Sequence, residues 1–138
     1  MANWYGMGRT NYFRVEDAGK FKNFVDQFDG AVLIEKDGCY GFYNNTELGE
    51  QPSRWTALDQ YGDFTDESDE IFILDEIHKH LAEDDVVIYQ ESGSVRARYV
   101  TGMSLAINSK GESIRIDIDD IFKVAEDKFG IQATHSSY

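Results

Sequence analysis

The side chains of this chain that could do chemistry are three histidines, one cysteine and many carboxylates. His78 and His80 are two residues apart, so on a helix they point about 160° away from each other, whereas on a strand they would share a face. Neither arrangement comes with a third ligand at a spacing typical of zinc sites. Cys39 lies in a predicted strand beside a turn, and no Gly-x-Ser-x-Gly elbow offers another nucleophile. We therefore predict neither zinc-dependent nor nucleophilic catalysis.

Residues 59–70 have the length of a helix-loop-helix calcium loop and end, as such loops do, in a glutamate. The interior differs from such a loop, because Tyr61 occupies the third position and Phe64 stands where the glycine of the sharp turn belongs. The sequence has no glycine-rich phosphate-binding loop, and none of its carboxylate pairs is marked out for acid–base chemistry. The chain is predicted not to be an enzyme and to need no cofactor, with a small-ligand or calcium-binding module kept as an alternative.

Negative charge is concentrated in one part of the chain. The 27 residues from Asp59 to Asp85, here called the acidic segment, contain eleven Asp and Glu and one base, Lys79, and carry −10 of the formal net charge of −13. Direct binding to nucleic acid or to an anionic membrane is excluded, since both repel this charge. The charge could serve only solubility, but large apolar residues interrupt the acids and tie the segment to a folded body.

The first half of the chain is predicted to form strands around one amphipathic helix. That helix covers residues 17–28, is capped by Asp17 and ends at Asp29-Gly30. Its apolar stripe, at the spacing i, i+3, i+4 and i+7, consists of Phe21, Phe24, Val25 and Phe28. The Asp37-Gly38 pair is typical of a hairpin turn. The predicted strands are 11–15, 31–34 and 39–43, followed by a loop over 44–54.

The second half is predicted to contain two helices and three strands. Leu74, Ile77 and Leu81 share one side of a helix over 68–82, although the run 71–74 could instead be a strand. Residues 55–64 are consistent with either a strand or a loop. Apolar residues alternate with period two over 95–107, which is the strongest strand signal in the chain. The remaining predictions are a strand over 86–90, a turn at 91–94, a hairpin loop at 108–111, a strand over 114–118, a helix capped by Asp119 or Asp120 and ended by Gly130, and a frayed tail over 131–138.

These elements predict an α+β fold, a mainly antiparallel sheet with about three helices packed on it as a single layer pair. The length of 138 residues and the lack of a linker predict one domain, 1–138. The chain has no apolar run long enough to span a membrane, and it lacks the pattern of a signal peptide. With its single cysteine, this predicts a cytoplasmic protein.

The acidic segment is also the predicted partner-binding site. Its carboxylates would meet Lys and Arg of a basic partner, and the aromatic residues among them would supply the apolar anchors that affinity needs. The candidate binding residues are Asp59, Tyr61, Asp63, Phe64, Asp66, Glu67, Asp69, Glu70, Phe72, Asp75 and Glu76.

Two stretches outside the acidic segment carry a resemblance. The sequence from Asn11 to Val15, followed by the helix capped by an acid, resembles the start of small uncharacterised proteins of bacterial plasmids and phages. Residues 98–112, with the helix after Asp119, resemble their C-terminal end. Together these stretches cover about a third of the chain, and they contribute no catalytic residue. The resemblance implies a mobile-element setting, in which small acidic proteins are often antirestriction or anti-CRISPR inhibitors.

Charge and resemblance together predict a non-enzymatic, DNA-mimic-like inhibitor. Its expected partner is a basic nucleic-acid-binding protein or complex, such as a CRISPR or restriction component, because a fixed array of carboxylates can occupy a site that evolved for DNA. An alternative is an acidic immunity or regulatory protein that neutralises a basic toxin or effector. The inhibitor hypothesis predicts that DNA competes for the partner, whereas the immunity-protein hypothesis predicts that it does not. The sequence leaves the oligomeric state open.

Overall fold

The computed structural model of the chain describes residues 4–45, 51–56, 61, 69–95 and 99–134. Within these residues the chain forms eight strands, three α-helices and one short 3-10 helix. Their order is β1 (Trp4–Thr10), α1 (Ala18–Asp26), β2 (Ala31–Lys36), β3 (Cys39–Asn44), β4 (Ser53–Trp55), β5 (Glu70–Phe72), α2 (Ile73–Glu76), the 3-10 helix Ile77–His80, β6 (Val86–Val95), β7 (Tyr99–Asn108), β8 (Ser113–Asp117) and α3 (Asp120–Phe129).

Six of the strands form one antiparallel sheet in the order β2-β3-β1-β6-β7-β8, and β4 and β5 form a separate antiparallel pair. The predicted α+β class with a mainly antiparallel sheet is confirmed. Since β6 and β1 occupy the centre and β2 and β8 the two edges, the C-terminal hairpin and the N-terminal strand belong to one structural body.

One face of the six-stranded sheet carries the hydrophobic core and is here called the helix face. Phe42, Tyr89 and Ile107 are buried on it, and the rings of Phe42 and Tyr89 stack with centroids 6.1 Å apart. Side chains of α1 with the two residues that follow it, and of residues 73–81, pack against this face. The buried residues that these two segments contribute are Phe21, Phe24, Val25, Phe28, Ile73, Leu74, Ile77 and Leu81.

The helix α1 and the first hairpin follow their sequence signals. The Asp17 side chain accepts a hydrogen bond from the backbone N–H of Lys20 at 3.0 Å, which confirms it as the N-cap. The predicted apolar stripe of the helix is buried. Asp37 and Gly38 adopt φ of 52° and 81°, the left-handed conformation that a tight two-residue hairpin turn requires.

The strand predicted over 11–15 is wrong, because β1 ends at Thr10. The Asn11 carboxamide continues the pairing with β6, accepting the N–H of Ile88 at 2.8 Å and donating to the carbonyl of Val86 at 3.1 Å. Phe13 then forms an isolated bridge to Tyr40. Residues 11–15 therefore form isolated bridges and side-chain hydrogen bonds instead of a continuous strand.

The helix predicted over 68–82 is also wrong as one element. Residues 70–72 form β5, which pairs with β4 through Arg54 opposite Ile71, and a short α-helix and a 3-10 helix follow. Pairing with β4 outweighs helical periodicity at the start of the segment. The predicted loop over 44–54 correspondingly contains the first residues of β4. Residues 46–50, 57–60 and 62–68 lie outside the described residues.

The turn predicted at 91–94 lies within β6, which runs to Val95. Gly93 and its neighbours pair along their whole length with β1 on one side and β7 on the other. Two flanking strands override the turn preference of Ser92-Gly93-Ser94. The strand predicted to begin at 95 begins at Tyr99, and residues 96–98 lie outside the described residues.

The helix α3 ends as predicted, with Gly130 at φ 70° and its N–H bonded to the carbonyl of Glu126. Its start differs from the prediction. Asp119 makes no side-chain capping bond, and the Asp120 carboxylate accepts the backbone N–H of Asp117 at 2.8 Å. No residue of α3 is buried. The tail is exposed over 131–134, and 135–138 lie outside the described residues.

Candidate functional site

Six of the eleven predicted binding residues belong to the part of the chain that the structure describes. They are Tyr61, Asp69, Glu70, Phe72, Asp75 and Glu76. The other five, Asp59, Asp63, Phe64, Asp66 and Glu67, lie outside the described residues.

The described part of the acidic segment separates apolar from acidic side chains. Asp69 and Asp75 are exposed, as is Glu83 beyond the 3-10 helix. The aliphatic side chains between them are buried in the core and hold the backbone in place: Ile73, Leu74, Ile77 and Leu81. The segment therefore displays carboxylates from an anchored backbone.

The two described aromatic residues of the site are both accessible. Tyr61 is 80% exposed and Phe72 is 37% exposed. Phe72 has an extended backbone and directly precedes α2, next to the exposed Glu70. The Glu70 carboxylate accepts a hydrogen bond from the Ser53 hydroxyl at 2.8 Å, which fixes it against β4. The segment thus offers apolar contact area beside its charges.

Glu76 differs from the other acids of the site because it faces an intramolecular partner. It is half-buried and forms an ion pair with Lys79. The hydrogen bond from Lys79 lowers the pKa of Glu76, against the effect of burial, and the charges of Lys79 and Arg54 lower it further. This carboxylate is therefore largely engaged within the chain.

Around Glu76 lies a pocket of about 390 Å³ lined mainly by cationic and amide side chains, here called the cationic pocket. Its cations come from three separate elements, Lys20 of α1, Arg54 of β4 and Lys79 of the 3-10 helix. The Arg54 guanidinium lies over the ring of Phe28 at 5.6 Å. No sequence spacing indicates this group, because its members are brought together only by the packing of α1 against residues 70–80.

His80 forms one wall of the cationic pocket. Its ring lies against the buried Phe24, with centroids 4.3 Å apart. Burial lowers the pKa of His80, and the charges of Lys20 and Lys79 lower it further. The histidine is therefore a packed, neutral side chain near neutral pH. Its neighbour His78 lies outside this pocket.

Two further acids of the segment are paired with one arginine. Asp84 and Asp85 both contact Arg14, which precedes α1, and Asp85 also accepts its backbone N–H. These contacts tie the end of the acidic segment to the chain before α1. Asp85 thus has a structural role in addition to its charge.

The face of the sheet opposite the helix face is open and carries a groove of about 620 Å³, here called the open-face groove. Two rows of paired residues form it, because residues opposite each other in an antiparallel sheet share a face. One row runs Tyr43, Arg9, Gln90, Ser104 and Ile116 across five strands, and the other runs Met7, Ser92, Gly102 and Ile118. The floor on β6 and β7 is small or polar, whereas the walls are mainly apolar, with Arg9 as the charged residue of the two rows.

The apolar side chains on the walls of the open-face groove are unusually exposed to solvent. Met7 is 70% exposed on one side, and Ile116 is 62% exposed on the other. Large apolar side chains left this exposed on both sides of a groove are typical of a surface that binds another molecule. The sequence does not indicate this surface, because alternating apolar residues in a strand predict burial.

Among the described residues no group of three His, Cys, Asp or Glu side chains is placed to hold a metal ion. Cys39 is a free thiol, half-buried at the start of β3. None of the helices in the described ranges combines the length and apolarity that a membrane span requires. Comparison of the chain with protein-family models, curated protein sequences and solved structures gives no match.

Proposed function

We propose that this protein is a non-enzymatic binding protein that uses its acidic segment to occupy the nucleic-acid-binding surface of a basic protein. The observation that carries the proposal is the construction of residues 69–85, in which aliphatic side chains are buried while Asp69, Asp75 and Glu83 are exposed. Carboxylates on an anchored backbone keep their spacing. They can therefore present a fixed pattern of negative charge to Lys and Arg side chains, as the phosphates of DNA do.

The aromatic residues of the segment supply the second part of the proposed interface. An exposed ion pair contributes only about 0–1 kcal/mol to binding, so carboxylates need apolar neighbours that are buried by the partner. Tyr61 and Phe72 are exposed side chains of the segment and serve this purpose in the proposal. Charge then governs the rate of encounter, and the aromatic residues govern the lifetime of the complex.

The resemblance to small proteins of plasmids and phages favours a host defence protein, such as a CRISPR or restriction component, as the partner. We place the protein in the cytoplasm, where such partners act. The proposal also includes a single layer pair, with α1 and residues 73–81 as the helical layer on one face of the sheet. The open face is then left for a different contact.

A pull-down from bacterial lysate with the tagged protein, at low and high salt and with competing duplex DNA, tests the proposal. We expect a nucleic-acid-binding protein to be retained at low salt and released by DNA. The triple variant Asp69→Lys, Asp75→Lys and Glu83→Lys should lose it. The matched control, Asp26→Lys, Glu35→Lys and Glu126→Lys, makes the same charge change at exposed positions outside the segment and should retain it.

Equal retention by the two triple variants would show that only the total charge matters, and would contradict a defined acidic site. The immunity-protein alternative predicts a different pattern, with a single cognate partner that duplex DNA does not displace. A calcium-binding module would instead reveal itself by a rise in melting temperature with calcium, since a ligand that binds only the folded state stabilises it.

A further inference from the structure

The helix α3 and the open-face groove are two apolar surfaces of this chain that have no cover in the described residues. On α3, Ile121, Val124 and Phe129 are 60%, 53% and 68% exposed. These side chains form a mainly apolar band along one side of the helix, which also contains the exposed Lys128, while Lys123 and Asp127 form an ion pair on the other side. An amphipathic helix that buries no residue has an apolar band available for another surface.

The helix does not lie in the groove of its own chain, because none of the residues that line the groove belongs to α3. Asp119 and Asp120 line a depression with Glu91 and Arg115, which the strand register places on the helix face. The Asp120 carboxylate holds the backbone N–H of Asp117 and fixes this start. The groove is therefore left uncovered by α3 of the same chain.

We infer that the chain forms a two-fold homodimer in which α3 of each copy lies in the open-face groove of the other. A helix laid into an apolar groove is a recurring mode of recognition, and a mutual exchange makes the contact self-complementary, as two-fold dimers are. The small residues Ser92, Gly102 and Ser104 on the groove floor allow the helix to approach the sheet closely. Met7 on one wall and Ile116 and Ile118 on the other then contact the apolar band.

Both surfaces of the proposed contact expose several apolar side chains. Five side chains on or beside the groove and four on or after α3 are each about half exposed or more, and a standard interface buries about 800 Å² per partner. They are Met7, Val100, Ile114, Ile116 and Ile118 on the sheet, and Ile121, Val124, Phe129 and Ile131 on and after the helix.

Charge also permits this contact between two acidic molecules. Residues 99–134, which include the helix and the outer wall of the groove, contain four Lys and Arg against six Asp and Glu, a net charge of −2. The acidic segment, by contrast, carries −10. Two copies can therefore meet through this part of the surface, and the contact does not bring their two acidic segments against each other.

Sedimentation of the full chain across a concentration series tests the inference. We expect a species with twice the mass of one chain at micromolar concentrations. Val124→Glu in the helix band and Ile116→Glu in the groove wall should each weaken the dimer at least tenfold. The controls add the same charge at exposed positions outside the contact, Gln132→Glu after the helix and Ser113→Glu on the other face of β8, and should leave it intact.

Mixing the two weakened variants tests the exchange itself. The Val124→Glu copy keeps an intact groove and the Ile116→Glu copy keeps an intact helix, so their mixture contains one undamaged contact and should form a heterodimer. Helix-to-helix or sheet-to-sheet pairing would leave every contact damaged and give no such rescue. Thermal melts of each variant confirm folding, and Phe129→Glu replaces Val124→Glu if that variant unfolds.

Three results would overturn the inference. They are a monomeric wild type at all concentrations, a dimer unaffected by both Glu substitutions, and a pair of monomeric variants that fail to associate on mixing. None of them bears on the acidic segment, whose partner is tested separately in the pull-down.

Discussion

The carboxylate of Asp85 accepts the backbone N–H of Arg14 at 2.7 Å and the Nε–H of the same residue at 3.3 Å. Its other oxygen accepts the backbone N–H of Val86 at 2.8 Å. One carboxylate thus joins the chain before α1 to the start of β6, across 71 positions of sequence. It also satisfies two backbone donors that would otherwise need water.

Replacing Asp85 by alanine should therefore lower the free energy of unfolding by about 1–3 kcal/mol, since it removes two hydrogen bonds from backbone donors to a charged acceptor. Asp84→Ala is the matched control. Asp84 contacts only the guanidinium of Arg14, and its side chain is 79% exposed, so about 0–1 kcal/mol is expected. Urea denaturation measures both. Equal losses would show that the charge, and not the backbone bonding, matters at this position.

The contact between His80 and Phe24 predicts a dependence of stability on pH. Burial, with the charges of Lys20 and Lys79, lowers the pKa of His80 below its usual value of 6.5. The unfolded chain therefore binds the proton more tightly than the folded chain does. The stabilising effect is present above pH 6.5 and is lost as the pH falls through the folded-state pKa.

Thermal melts between about pH 7.5 and 5.5 should show the wild type losing stability toward acid, in the range where histidine titrates. The variant His80→Gln removes the titrating group and should flatten this part of the curve. Carboxylates contribute little to the slope there, because they titrate at lower pH. A slope unchanged in His80→Gln would assign the effect to another group.

Gly41 predicts a steric effect in the centre of β3. A Cβ at this position would lie 2.5 Å from the backbone carbonyl oxygen of Asn11 and 2.5 Å from the Thr10 hydroxyl, which accepts the N–H of Phe42. Because backbone atoms cannot move aside cheaply, Gly41→Ala should cost about 1–3 kcal/mol. Gly19→Ala, at an exposed position within α1, should instead stabilise by about 0.5–1 kcal/mol. Chemical denaturation of both variants tests the opposite signs.

The two neighbouring acids Asp75 and Glu76 should respond differently to neutralisation. Glu76→Gln removes the partner of Lys79 and leaves the cations of its pocket unbalanced, which should lower stability by about 0.5–1.5 kcal/mol. Asp75 is exposed, so Asp75→Asn should leave stability unchanged and weaken retention of the proposed partner. Melting curves and the pull-down, applied to both variants, separate the roles. A stability loss in Asp75→Asn alone would reverse this assignment.

Local signals in the sequence predict those elements whose stabilising contacts lie close together in the chain. The helix α1 is predictable because Asp17 caps it and its own stripe is buried, and the Asp37-Gly38 hairpin because the turn fixes its register. The predictions that are wrong concern elements whose conformation depends on contacts between residues distant in sequence. Gly93 is a turn residue that two neighbouring strands hold extended, and Ile71 joins β5 because β4 pairs with it.

The same distinction between local signals and distant contacts applies to the candidate site. The charge of the acidic segment is visible in composition, and the exposure of Asp69 and Asp75 agrees with their prediction as surface residues. Glu76 interacts with Lys79, which is near it in sequence, and with the charge of Arg54, which only the packing of the chain brings near. The open-face groove is invisible in the sequence, since periodicity predicts that one face of a strand is apolar and does not indicate whether that face is covered.

The Asn11 carboxamide has a consequence for hydrogen exchange. It bonds the N–H of Ile88 and the carbonyl of Val86 as a peptide group of a paired strand would. The amide hydrogen of Ile88 is therefore protected by a side chain, and its exchange reports rotation of that side chain rather than separation of strands. In Asn11→Ala this amide should exchange faster, while that of Gln90, which pairs with Arg9 one step further along the ladder, keeps its protection.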